Sequence, residues 1–114
     1  MNHILSPINY SNIDNDITSN GSIYKEVLSS DNEWLSPESI NNVNIEYKVN
    51  EDNSTLYSGI LNQLDDYLVT CITSMSINET SIFKVKTSLI NQRFEELTDE
   101  YTHIKIKLIF FNEI

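Results

Sequence analysis

An α+β domain, antiparallel strands with one short helix, is what this sequence predicts, and three observations carry the prediction. Val43 to Val49, Phe83 to Lys86 and Ile104 to Leu108 alternate apolar and polar residues, the pattern of strands with one buried and one wet face. One stretch has a different period: Leu64, Leu68, Cys71, Ile72 and Met75 fall at i, i+4, i+7, i+8 and i+11, a single stripe of a helix. The 114 residues can enclose one core but are too few for two domains of ordinary size.

Taken in order, residues 1 to 20 are polar, rich in Asn, Asp and Ser, and without useful periodicity; a flexible tail is expected there, with the domain over 21 to 114. The scattered Ile4, Ile8 and Tyr10 of that tail are read as solvated. Asn20-Gly21 is a turn signal, and Ser22 to Leu28 supplies a first strand. A loop with Trp34 and Ser36-Pro37 follows; the lone tryptophan is read as packing on the edge of the core, with anchoring of a partner as the alternative. Val43 to Val49 should be central to the sheet. The turn formers Asn50 to Ser54 return the chain into Thr55-Leu56-Tyr57, which completes a hairpin. Asp65 and Asp66 suit the N-terminal turn of the helix, where its dipole favours negative charge. Ser76 to Thr80 reads as a turn before the last two strands. Between those strands, Leu89 to Tyr101 is a polar excursion with a helical turn around Phe94 to Leu97.

Charge and composition exclude several functions. With 17 acidic against 7 basic side chains the formal net charge is −10, which repels a phosphate backbone and anionic lipid, so neither nucleic acid nor membrane is an expected partner. One cysteine closes no internal disulfide, and no Cys and His cluster has the spacing of a metal site. The start lacks a basic stretch followed by an apolar run and no stretch reaches membrane-spanning length, so a soluble, unsecreted protein is expected; the single cysteine fits the reducing cytoplasm, and a monomer is expected. Cys71, on the apolar stripe, is read as a buried small hydrophobe, and His103 as a strand-end histidine. Asn12, Asp14 and Asp16 resemble the start of a calcium loop but lack its Gly and terminal Glu. Five of the seven basic residues, Lys48, Lys84, Lys86, Lys105 and Lys107, alternate with apolar residues on strands and should share outward faces. The plain reading is protection against edge-to-edge pairing; the functional one is a basic face for an acidic partner.

The order strand, hairpin, helix, turn, strand, long loop, strand resembles that of the FKBP immunophilins. The likeness runs through Gly21 to Leu28, Ser36-Pro37, Val43 to Tyr47 and Tyr101 to Phe110. Its most specific part is Ile72 to Val85, where Asn78 stands for a turn glycine, a left-handed position that Asn tolerates. It implies a curved antiparallel sheet wrapped around one short helix. It also implies a proline pocket that works without nucleophile, metal or cofactor, holding the ring against aromatic walls and favouring the twisted imide over a barrier of roughly 20 kcal/mol.

Carried over position by position, Tyr47 matches the family's strand tyrosine and Tyr57 stands where it keeps a Phe, so the two can form a wall. Ser58 replaces an Asp. Leu68 falls where the family places the tryptophan under the proline ring, and Ile104 where its last strand presents a Phe. Leu89-Ile90-Asn91-Gln92 replaces the Tyr-Ala-Tyr-Gly-like loop, and the stretch between Ser58 and the helix lacks the strand that carries another pocket Phe. The pocket candidates Tyr47, Tyr57, Leu68 and Ile104 are therefore a degenerate set. The expectation is an interaction or scaffold domain with little or no isomerase activity, similar to the second FKBP-like domain of larger immunophilins that carry TPR repeats. Its partner is then a protein, a chaperone or a client, and the chain is a domain-sized piece of a longer protein. The alternative is an active peptidyl-prolyl isomerase with a rebuilt pocket; a third reading keeps only a small α+β domain.

Overall fold

In the computed structural model, residues 15–31, 35–90 and 100–112 are described. Six strands form one antiparallel sheet: β1 (Asn15–Asp16), β2 (Ile23–Ser29), β3 (Asn42–Val49), β4 (Thr55–Ile60), β5 (Thr80–Lys86) and β6 (Tyr101–Asn112), in the order β1-β2-β5-β6-β3-β4. The helix α1 (Asp66–Thr73) lies against one face, after a 3-10 turn at Leu61–Gln63, and a single helical turn α2 (Thr87–Ile90) follows β5. Among the described residues no helix is long and apolar enough to cross a membrane.

Alternation decides which side is inside. Val43 and Ile45 of β3, Phe83 and Val85 of β5, and Ile104, Ile106 and Leu108 of β6 are buried against Leu68, Cys71, Ile72 and Met75 from α1 and the residues that follow it. The predicted helical stripe is therefore the core stripe; Leu64, just ahead of α1, packs against the same cluster. Leu56 and Ser58 of β4 and the lysines of β3, β5 and β6 fall on the other face, where Lys48 pairs with Lys105 and Thr80 with Lys107 in register. Asn78 takes φ 66°, the left-handed turn expected of it, and its amide donates to Leu108 O at 2.7 Å, closing the turn onto β6.

Several expectations shift. The sheet begins inside the segment read as tail, because Asn15 and Asp16 pair with Lys25 and Tyr24. β3 is interior but one strand from the edge; the hairpin partner β4 closes that edge, and the central pair is β5 and β6. β4 and β5 are longer than their alternating stretches, since backbone pairing continues where side-chain pattern stops. The lysines stand on β3, β5 and β6, all interior strands, and none on the edge strands β1 and β4, so protection against edge pairing does not explain them. Ile4, Ile8, Tyr10, Trp34 and the turn expected around Phe94 to Leu97 lie outside the described residues.

Lys25 departs from the rule that strand lysines face water. It points inward from β2 and its ammonium meets the Glu79 carboxylate at 2.9 Å, with both side chains almost fully buried. Lys25 Nζ also donates to Ser74 O at 2.6 Å, just past the end of α1, while Glu79 accepts from Ser76 N at 3.0 Å and from Ser81 Oγ at 2.6 Å. Removing one member leaves the other charge buried without its counter-ion. Glu79→Ala should therefore cost about 3–5 kcal/mol in urea unfolding, and pairing it with Lys25→Met should recover a large part of that cost. Two single-variant costs that simply add would show that the pair does not fasten the helix to the sheet.

Candidate functional site

Among the described residues a cleft of about 640 Å³ opens at the N-terminal end of α1. Leu64, Asp65, Asp66, Tyr67 and Thr70 form one wall, the turn entering β2 with Thr18, Asn20 and Ser22 another, and Ser88, Leu89 and Ile90 a third. The local sequence accounts for each wall. Asp65 opens α1 in extended conformation without a side-chain capping bond, so its carboxylate and that of exposed Asp66 stay at the mouth. α2 directs Leu89 and Ile90 toward the cleft directly after β5.

The β2 entry turn is built on Asp16. Its Oδ1 accepts from Thr18 N at 2.9 Å, Thr18 Oγ1 at 2.7 Å and Ser19 N at 3.1 Å, and its Oδ2 accepts from Gly21 N at 2.6 Å. The Thr18 hydroxyl in turn accepts from the amides of Ser22 and Ile23. The residue that resembled a calcium ligand thus satisfies a run of backbone N–H groups, two of them around the left-handed Ser19 (φ 68°) and Gly21 (φ 78°). The Thr18 hydroxyl bond chiefly holds the Asp16 carboxyl below its ordinary range, against the opposing effect of burial, with help from the amides of Thr18, Gly21 and Ser19.

The four pocket candidates all belong to or lie against one core cluster. Leu68, 4% exposed, and Ile104, 0% exposed, are sealed within it. Tyr57 is folded back along its own strand: its hydroxyl donates to Ile60 O at 2.8 Å and lies where a Cβ on Gly59 would come within 2.8 Å. Gly59 therefore makes room for that ring. Tyr47 is half-buried at the end of β3. None of the four lines the large cleft.

The aromatic side chain that does line it is Tyr67, which the sequence reading passed over because its position lies off the apolar stripe. Burial, foremost, and then the nearby Asp65, Tyr47 and Cys71 raise its hydroxyl above the ordinary tyrosine range. Its place beside Asp65 and Asp66 in the first turn was the available signal. Burial pushes the Cys71 thiol up to about 12, so it stays protonated and inert at neutral pH, the small core hydrophobe expected. Burial, and then Lys84, lower the pKa of His103 on β6. Among the described residues no group of His, Cys, Asp or Glu could hold a metal ion. The cleft offers carboxylates, hydroxyls and apolar contact; it can bind a polar segment, and among its described walls no activated nucleophile is present.

No family model matches the chain, and no curated protein matches it. Its architecture is nonetheless similar to solved FKBP structures. The structure of the three FKBP domains of wheat FKBP73 matches with a TM-score of 0.69 at 16% identity, over 84% of this chain and 47% of that one. This chain thus spans less than half the length of the wheat chain. The N-terminal domain of FKBP42 from Arabidopsis thaliana matches with a TM-score of 0.60 at 13% identity, over 81% of this chain and 87% of that one. A peptidyl-prolyl cis-trans isomerase from Pseudomonas syringae pv. tomato matches with a TM-score of 0.59 at 12% identity, over 80% and 76%. At these identities the likeness establishes the fold: an antiparallel sheet around one short helix, FKBP-like, as the resemblance noted in the sequence implies.

The Asp16 turn makes a prediction that tests how this wall is held. A carboxyl whose folded pKa is lowered contributes stability above its ordinary pKa, 3.8, and loses it as pH falls through the lower folded value. Asp16→Ala should flatten that part of the acid unfolding profile and speed amide exchange at Thr18 and Gly21 while leaving the β5–β6 amides protected. An unchanged acid limb would place the wall's stability elsewhere.

Proposed function

We propose that this FKBP-like domain works as a protein-interaction or scaffold domain with little or no prolyl isomerase activity. The observation that carries the reading is the burial of Leu68 and Ile104: at the positions where the family presents aromatic surface to a proline ring, this chain has aliphatic side chains closed into the core. Tyr47 and Tyr57 are both half-buried, but Tyr57 is folded back along its own strand onto Gly59, and with Leu68 and Ile104 in the core the two tyrosines have no aromatic floor beneath them against which to hold and desolvate an imide. The open cleft beside α1 has an acidic mouth instead, which suits a polar or basic stretch of a partner. A chaperone or one of its clients is the partner class that the likeness to multidomain immunophilins suggests, and association within a longer TPR-containing protein in the cytoplasm belongs to the same reading.

The competing reading, an isomerase with a rebuilt pocket, draws on the neighbour from Pseudomonas syringae named as a peptidyl-prolyl cis-trans isomerase. NMR exchange on a short peptide with a Leu-Pro bond separates the two. The domain should leave the cis-trans exchange rate within about twofold of the uncatalysed rate, tens to hundreds of seconds at room temperature, where an equal concentration of a standard FKBP accelerates it strongly. Its resonances should also stay unmoved by a macrolide immunosuppressant. Acceleration that the macrolide abolishes would establish the isomerase and end the scaffold reading.

A further inference from the structure

We infer that the outer face of the sheet, centred on Lys48, Lys105 and Lys107, binds an extended acidic segment of a protein partner. This deepens the interaction reading and rests on it. In a chain of net charge −10, five of the seven basic side chains stand on this one face. Lys25 is taken up by Glu79, the one ion pair among the described residues. On this face Glu46 stands opposite Lys107, but Lys48 lies directly opposite Lys105, a like-charge pairing that weakens a sheet, so cations outnumber carboxylates around the three lysines.

The structural reasons for such lysines do not hold here. They stand on interior strands, so they guard no edge. Ile82, 2% exposed on this outward side, is flanked by Lys105 in register and benefits from aliphatic cover. A long neutral side chain would supply that cover equally well, so cover does not call for charge. Lys84 is already engaged, its ammonium 4.6 Å from the Tyr24 ring centroid and 5.1 Å from that of Tyr101. Lys48, Lys105 and Lys107 instead surround a depression of about 240 Å³, together with the hydroxyl residues Ser54 and Thr80 and the carboxylate of Glu46.

The geometry selects the ligand's shape. Lys105 and Lys107 are two residues apart on β6, about 6.8 Å, and Lys48 sits one strand away, about 4.8 Å. An extended peptide repeats its own side chains at the same two-residue spacing, so alternate Glu or Asp residues can meet successive ammonium groups. The strongly negative remainder of the chain disfavours a long nucleic-acid backbone, which could not confine its charge to the patch.

Fluorescence anisotropy with the full chain tests this, using a labelled short peptide of alternating Glu and Thr, its Gln-for-Glu counterpart, and a short single-stranded DNA. The Glu peptide should bind best, weaken with added salt, and lose about tenfold in affinity in Lys48→Gln/Lys105→Gln/Lys107→Gln, the sum of three exposed charge pairs. These side chains are at the surface, and an unchanged thermal melt confirms that the variant folds. As a control, Asp65→Asn/Asp66→Asn at the cleft should leave the loss intact. Equal binding of the Glu and Gln peptides, equal binding by the triple variant, or preference for the DNA overturns the inference. Prolyl exchange measured on the same samples keeps the two readings apart: absent isomerase activity with absent peptide binding overturns this site alone, whereas strong isomerase activity overturns the interaction reading whatever the patch does.

Discussion

The ammonium of Lys25 sits inside this domain, and the placement of α1 follows from it. A strand that alternates in and out would ordinarily offer an apolar residue there, between Ile23 and Val27 on the concave side of β2. The charge is tolerable because every nearby group answers it: the Glu79 carboxylate faces it, the Ser74 carbonyl beyond the last turn of α1 accepts from it, and Glu79 is itself held by Ser76 N and Ser81 Oγ. A satisfied buried network of this kind adds less to stability than hydrocarbon of the same volume might, but it fixes geometry, because any displacement breaks several charge-assisted bonds at once. It fastens the C-terminal end of the helix, the turn into β5 and strand β2 to one point. The N-terminal end of α1 has no such tie, and its capping aspartate makes no side-chain bond to the helix. The cleft opens at that free end.

The same one-sidedness explains why Leu68 and Ile104 are sealed in the core. The helix must fill the concave face of a six-stranded sheet, and it does so with Leu68, Cys71, Ile72 and the following Met75. Where a large ring would stand proud of that layer and leave a flat surface for a ligand, Leu68 is short enough to close with Ile104 beneath the helix. Tyr57 then lies flat over Gly59, where a side chain with a Cβ would have held the ring away from the strand.

Most of the architecture was legible in the sequence because it is written in side-chain period. The strands around Ile45, Val85 and Ile106 and the stripe from Leu64 to Met75 are one-sided patterns, and one-sided burial produced them. Asn78 was legible for a different reason, since few residues accept a left-handed turn. What stayed hidden was set by partners distant in the chain. Lys25 looks like any strand lysine until Glu79 is placed beside it; the two-residue strand at Asn15 has no room for a period; the order of the strands is decided by which edge β4 covers. Tyr67 was missed since a residue beside the apolar stripe carries no pattern of its own. Asp16 showed its acceptor character, but that its donors would be the amides of its own turn depended on backbone conformation.

Charge then separates the two surfaces that the core leaves available. The helix side carries an acidic cleft at the free end of α1, and the far side of the same sheet carries the lysines. A domain of net charge −10 could have dispersed its few cations among its carboxylates and removed the repulsion between Lys48 and Lys105. Alternation limits that: a cation on an interior strand faces outward unless, like Lys25, it meets a buried counter-ion, its nearest neighbours are set by register, and register here brings Lys48 against Lys105 on β3 and β6. Holding Lys48 against Lys105 in the free state costs stability, and under the inference above an acidic segment would relieve that cost on binding, so that the repulsion within the domain would add to its affinity.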